Sequence, residues 1–118
     1  MPFAWIEYLA LARYLQNHEH SSFVQEAALR CAVSRAYYAA FCHSRNYARD
    51  HQGFVPNHKG DDQRRIKEHF KTRDVTIAQA LQRLREWRNY CDYDDTVPGL
   101  IEILPRAITE AQKIFSKL

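Results

Sequence analysis

An antiparallel, all-α bundle is the fold class that this chain predicts, on three observations. Three glycines and four prolines in 118 residues are too few for the many turns of a sandwich or barrel. Apolar residues recur at steps of three and four along stretches free of both breakers, which is the helical period. An apolar content of 46% beside 26% charge is that of a chain that buries a core. The length makes one domain, residues 1–118, that buries roughly two-thirds of its unfolded surface. The expected architecture is up-and-down: four main helices and a short basic one at the side.

The first helix is expected over about Phe3 to Asn17, where Trp5, Tyr8, Leu9, Ala12 and Leu15 share a face. His18 to Ser21 interrupts it. Ser22 followed by Gln25 resembles a capping box, and an unbroken run then reaches about His51. Its seam reads Ala28, Cys31, Arg35, Tyr38, Cys42, small and aromatic residues suited to close packing. Gly53, Pro56, Asn57 and Gly60 make a loop. A short polar helix follows over about Asp61 to Lys71, with Ile66 and Phe70 as its main apolar content, so a surface position is expected. Asp74 caps a fourth helix from Val75 to Tyr90 or beyond, with the seam Ile77, Leu81, Leu84, Arg88, Cys91. The fifth begins near Pro98, and Pro105 should kink or break it.

Composition narrows function. The net charge of +3 is too small to argue for nucleic acid, but its distribution is uneven. Residues 59 to 88 carry nine Lys/Arg against five Asp/Glu, and residues 89 to 118 three against five. Twelve of the seventeen cations are arginine, whose planar fork suits phosphate as well as solvated helix faces. No glycine-rich nucleotide loop is present. Cys31, Cys42 and Cys91 form no C-x-x-C pair, so reduced thiols are expected. No Cys/His cluster or E-x-x-H pair reads as a metal site, and no cofactor is implied. The N-terminal stretch contains Glu7 and Arg13 and does not read as a signal peptide. No run approaches the ~20 apolar residues of a membrane span. A cytoplasmic protein without membrane contact is the expectation.

Arg35 and Arg88 occupy positions where the helical pattern asks for apolar residues. A buried unpaired charge costs several kcal/mol, so each must be paired, partly solvated or facing a cleft. Asp92, one turn after Arg88, is the natural partner. The pair reads either as a structural ion pair or as part of a cleft.

Three segments carry a likeness. Ser34-Arg35-Ala36-Tyr37-Tyr38-Ala39-Ala40-Phe41, then Asn57-His58-Lys59-Gly60, then the stretch from Leu84 through Arg88, Asn89 and Asp92 to Asp94 resemble, in order, the landmarks of the prokaryotic HEPN domain. The match covers roughly residues 22 to 115 and is nearest to small stand-alone members. The resemblance implies a helical bundle, usually a homodimer, often encoded beside a small nucleotidyltransferase as a toxin and antitoxin pair. Many such proteins are metal-independent RNases, with the Arg88 regions of two protomers facing a shared groove.

The family's catalytic signature is an arginine, often followed by a polar residue, then a histidine after four to six positions. Arg88 and Asn89 match its first half, whereas Tyr93, Asp94 and Asp95 stand where the histidine belongs, and none follows His69. RNA cleavage needs a base, an acid and cations for the phosphate charge. Arg88 can supply charge; Asp92, Tyr93 or the loop residue His58 would have to move protons. A phenol or a carboxylate titrates far from neutrality unless strongly perturbed. Arg35 and Tyr38 are candidate binding residues, and Tyr37, Phe41, Tyr47, Tyr90 and Tyr93 read either as base-stacking surface or as core. Three functions follow as expectations. One is a toxin-like RNase restrained by a nucleotidyltransferase. The second is a non-catalytic module binding that partner, a nucleotide or RNA. The third is a helical interaction protein with no nucleic-acid role.

Overall fold

The computed structural model describes residues 2–118 and consists of five α-helices: α1 (Ile6–Asn17), α2 (Ser22–His51), α3 (Asp62–Lys71), α4 (Val75–Tyr93) and α5 (Leu100–Lys117). At 1.5 Å per residue α2 is about 45 Å long, matching the 46 Å long axis of the molecule. It is the central post. Arg35 of α2 lies over the Tyr8 ring and Arg45 over the Trp5 ring, so α1 runs antiparallel to it. Arg30 reaches Asp94 and Asp95 while Ser34 faces Asp92, so α4 is antiparallel too. Asp74 meets Lys117, and Arg83 meets Glu110, which reverses α5 against α4. The four long helices therefore alternate in direction, as expected.

Close packing around α2 follows from its residues. Ala32, Ala36, Ala39, Ala40 and Ala48 are buried, and small side chains let neighbouring helix backbones approach. Against them sit Leu9 and Ala12 of α1, Ile77 and Leu84 of α4, and Leu104, Ala107 and Ile114 of α5. The seam expected for α2 holds at Cys42, whereas Cys31 is exposed and Arg35 and Tyr38 are half-buried.

Element ends differ from the sequence reading in specific ways. Helix α1 starts at Ile6 rather than Phe3 and α5 at Leu100 rather than Pro98. Gly99, in the left-handed region at φ 72°, turns the chain into α5, and its carbonyl accepts from the Glu102 and Ile103 N–H groups. The Ser22–Gln25 capping box does not form. Ser21 is the N-cap and makes no side-chain cap bond, and the third helical residue is then Val24, whose side chain has no acceptor for the Ser21 N–H. Asp74 does cap α4, accepting from the Thr76 and Ile77 N–H groups. Pro105 lies inside α5, which stays helical through it. Pro105 and Ile101 are both exposed, so water can serve the Ile101 carbonyl that the proline leaves free. Helix α3 is less superficial than its composition suggests: Ile66 and Phe70 are fully buried and Asp62 nearly so.

Two histidines report on acid stability. His43 stacks on Phe115 of α5 with ring centres 4.3 Å apart, and its buried Nε2 has no partner. Burial holds His43 below the usual imidazole value, and burial reinforced by Arg73 does the same at His69. The folded chain thus takes up these protons at lower pH than the unfolded chain, whose imidazoles titrate near 6.5. Stability should be level above about pH 6.5 and fall as pH drops from there. At Asp74 the Lys117 hydrogen bond lowers the carboxyl. At Asp62 burial raises it, but the Asn57 and His58 N–H groups and Arg65 outweigh that. A second loss should therefore begin once pH falls through the unfolded carboxylate range near 4. Urea midpoints at graded pH should show both steps, with His43→Leu shrinking the first and leaving the second.

Candidate functional site

Arg88 sits in the C-terminal third of α4, where the helix turns one face onto α2 and α3. Its side chain is only 7% exposed. Its guanidinium carbon lies 5.2 Å from the Tyr37 ring centre and 5.5 Å from that of Tyr38, so α2 meets the charge with aromatic faces. Nη2 donates to Gln63 Oε1 at 3.0 Å, and the Tyr37 hydroxyl donates to the same oxygen at 2.9 Å. Nη1 stands 3.6 Å from Asp92 Oδ2, and the Ser34 hydroxyl reaches that carboxylate at 3.5 Å. Three helices converge here, and Gln63 is the piece that ties α3 to the other two.

The cluster is electropositive. Arg35 lies over both Tyr8 (4.9 Å) and Tyr38 (5.4 Å) and, like Arg85, makes no hydrogen bond or ion pair among the described residues. Burial pushes the Tyr37 phenol far above its usual value, partly opposed by Arg85 and Arg88 nearby. It stays protonated and serves as a donor. The Nε groups of Arg35, Arg85 and Arg88 are all buried without an acceptor. Buried donors are normally satisfied, so three orphans on one side of the bundle, where Asp92 is the one carboxylate paired with these arginines among the described residues, leave donors that an anion could fill.

The remaining sequence candidates separate. Asn89 is exposed, and Tyr93 is 76% exposed; both follow Arg88 and Asp92 by one residue around the helix and so leave the buried face. Tyr90 is 47% exposed. His58 lies in the loop before α3 in the left-handed region, φ 58°, with its backbone N–H held by Asp62 at 2.9 Å. Its exposed side chain makes no hydrogen bond among the described residues. Asn57 completes this turn, its side-chain oxygen accepting from the Lys59 N–H. The loop motif is thus built around the Asp62 carboxylate. Tyr37 and Phe41 are core, their rings stacked 6.0 Å apart.

Sequence reasoning missed Gln63, Arg85 and Arg30. Gln63 carries no signal of its own, because its role depends on how α3 docks. Arg85 is one turn from Arg88 and was readable by spacing. Arg30 closes the C-terminal end of α4, donating to the carbonyls of Cys91 (3.2 Å), Asp94 (2.6 Å) and Asp95 (3.0 Å) while Glu26 holds its Nε at 3.0 Å. A cation on the unpaired carbonyls of a helix end is favourable, and this one fixes the turn that carries Asp92. Cys91 in that turn is pushed up to about 11 mainly by burial, so its thiol stays protonated. Among the described residues no group of three or more His, Cys, Asp or Glu side chains is gathered to hold a metal ion. No protein-family model, curated protein or solved structure matches this chain.

Arg88→Ala should destabilise the fold by about 2 to 3 kcal/mol. That is less than the about 3–5 expected for breaking a fully buried pair, because Asp92 keeps 29% of its side chain exposed and can rehydrate. Arg35→Ala, half-buried and without a carboxylate partner, should cost less than Arg88→Ala in the same urea melts.

Proposed function

We propose that this chain is a toxin-like helical module of the HEPN type that binds single-stranded RNA, with a small nucleotidyltransferase as its protein partner. The observation that carries the reading is the set of three buried, unpartnered guanidine N–H groups around Tyr37 and Tyr38. Arginine beside aromatic rings is the combination that tracks a phosphate backbone and stacks bases. The resemblance in the S-R-A-Y-Y-A-A-F and R-N-x-x-D-Y segments supports the same assignment.

Binding without cleavage is the version that the geometry supports best. Arg88 is engaged by Gln63 and Asp92, no histidine hydrogen-bonds to it among the described residues, and the exposed Asn89 and Tyr93 leave its buried face. General acid–base groups contribute about 10²- to 10⁴-fold, so their absence leaves little RNase activity. With single-stranded RNA, Arg35→Ala and Arg85→Ala should each weaken binding several-fold. Removing one arginine that pairs with a phosphate should flatten the dependence of log K on log salt by about 0.7. Incubation of the wild type with a structured RNA and EDTA should leave the RNA intact at pH 7. Robust cleavage abolished by His58→Ala would instead identify an RNase with its base in the loop.

A homodimer is part of the proposal. Ile6 and Tyr14 are about half exposed and, with exposed Ala10, line one stripe of α1, and Phe3, also about half exposed, lies just before the helix. Phe23, 87% exposed, extends apolar surface to the start of α2. Contiguous apolar surface on a small domain marks an interaction site. Light scattering at micromolar concentration should report twice the 14.0 kDa chain mass, and Ile6→Glu with Tyr14→Glu should return the monomer.

A further inference from the structure

At one end of the bundle α1 and α4 finish and α2 and α5 begin. The charge there opposes that of the chain. Residues 19–30 carry Glu19, Glu26 and Arg30, and residues 89–105 carry Asp92, Asp94, Asp95 and Glu102 with no Lys or Arg, so six carboxylates face one cation in a protein of net charge +3. Asp92 is committed to Arg88 and Glu26 to Arg30. The exposed side chains of Glu19, Asp94, Asp95 and Glu102 make no hydrogen bond or ion pair among the described residues. Arg30 gathers the two segments, since its Nη2 lies 2.9 Å from Glu26 Oε2 and 3.0 Å from the Asp95 carbonyl. Glu102 suits the first turn of α5, but Asp94 and Asp95 follow the C-terminus of α4, where the helix dipole disfavours negative charge. Helix stability therefore does not account for them. Between the starts of α2 and α5 lies an open hollow of about 440 Å³, with Leu29, Leu100, Ile101, Glu26 and Glu102 in its lining and no cation. Ile101 is 75% exposed, a large apolar side chain left in water beside free carboxylates. The stretch of residues 96–103 also walls a second hollow of about 250 Å³, where Tyr90 and Val97 adjoin Asp94.

We infer that this end of the bundle docks a basic amphipathic helix of a partner protein. The apolar face of that helix enters the hollow between α2 and α5, and its Lys or Arg residues meet Asp94, Asp95 and Glu102. An uncharged apolar partner leaves these carboxylates unmatched, and an anionic ligand is repelled by them. A second copy of the chain brings the same negative end, so two copies cannot pair here about a two-fold axis. No strand occurs among the described residues, so there is no sheet edge for an extended peptide to join. A cleft between two helices instead suits the helix-in-groove mode. The inference rests neither on the Arg88 face nor on the RNA-binding reading.

The probe is a fluorescein-labelled peptide of about 14 residues, roughly four helical turns, with Leu on one face and Lys on the other. Its anisotropy should rise saturably as the full chain is added, and added salt should weaken the binding. Versions with Glu in place of Lys, or Gln in place of Leu, should bind at least about tenfold more weakly. Ile101→Ser should weaken the Leu/Lys peptide several-fold, as should the combination of Asp94→Asn, Asp95→Asn and Glu102→Gln. All four positions are exposed, so the melting temperature should stay near that of the wild type. Ile6→Ser on the α1 stripe should leave the affinity unchanged, which separates this site from the α1 surface. Equal affinity for the Glu version, indifference to Ile101→Ser or to the three neutralisations, or no binding at roughly 100 µM chain would overturn the inference. So would a fall in light-scattering mass on neutralising the three carboxylates, because it would make this end a contact between copies.

Discussion

The charge of Arg88, taken almost wholly out of water at the meeting of α2, α3 and α4, is the constraint around which the rest of this bundle is arranged. An isolated guanidinium in that position would cost several kcal/mol, and each neighbour answers part of the cost. Tyr37 and Tyr38 lend ring faces, Gln63 lends an amide oxygen, and Asp92 supplies the opposite charge from the edge of the cluster. The answer is incomplete, since Nε stays unpartnered. The same shortfall recurs at the Nε groups of Arg35 and Arg85, so three donors of one cluster are without an acceptor among the described residues.

That arrangement explains why the short polar α3 is held so firmly. Its apolar side chains number little more than Ile66 and Phe70, yet both are buried, and Gln63 joins it to α2 and α4 through one oxygen. At its start, Asp62 gathers the Asn57 and His58 N–H groups and Arg65, while Arg65 also reaches the Val55 carbonyl at 3.1 Å and covers the Phe54 ring. The loop and the helix form one unit. The ends of α4 are fixed in the same polar manner, by Asp74 with Lys117 at one end and by Arg30 at the other, so the helix that carries Arg88 has little freedom to slide.

Much of this could be read in advance. The absence of Gly and Pro between Ser22 and Gly53 predicts a long α2 that ends near His51, and Asp74 before Val75 is a start signal that the structure obeys. Arginines on apolar seams pointed to the cluster, and the i, i+4 spacing of Arg88 and Asp92 to their pairing. The parts that stayed hidden are those set by tertiary contact. Gln63 looks like any surface glutamine until α3 docks, and Arg30 looks like a partner for Glu26 until the end of α4 arrives beside it. The Ser22–Gln25 signal misled because the chain enters the helix at Ser21, one residue earlier. The landmark residues Asn89 and Tyr93 share a motif with Arg88 without sharing its surroundings, because each follows a residue of the buried cluster by one position and neighbours on a helix point 100° apart, and His58 lies apart from them in the loop before α3.

The same geometry gives α4 two chemically distinct sides. Positions 85, 88 and 92 turn toward the tyrosines of α2, and positions 83 and 87 turn toward α5. Because a helix displays different residues every 100°, an arginine-rich stretch such as Arg83-Leu84-Arg85-Glu86-Trp87-Arg88 does not make one basic patch. It splits its cations between a cluster with buried, unfilled donors and an open groove against α5, where Arg83 is solvent-exposed. Leu84, fully buried between them, keeps the two sides apart and anchors both to the core. Of the nine cations in residues 59 to 88, only Arg83, Arg85 and Arg88 are divided in this way between the two sides of α4; Lys59, Arg64, Arg65, Lys67, Lys71 and Arg73 belong to α3 and the segments that flank it.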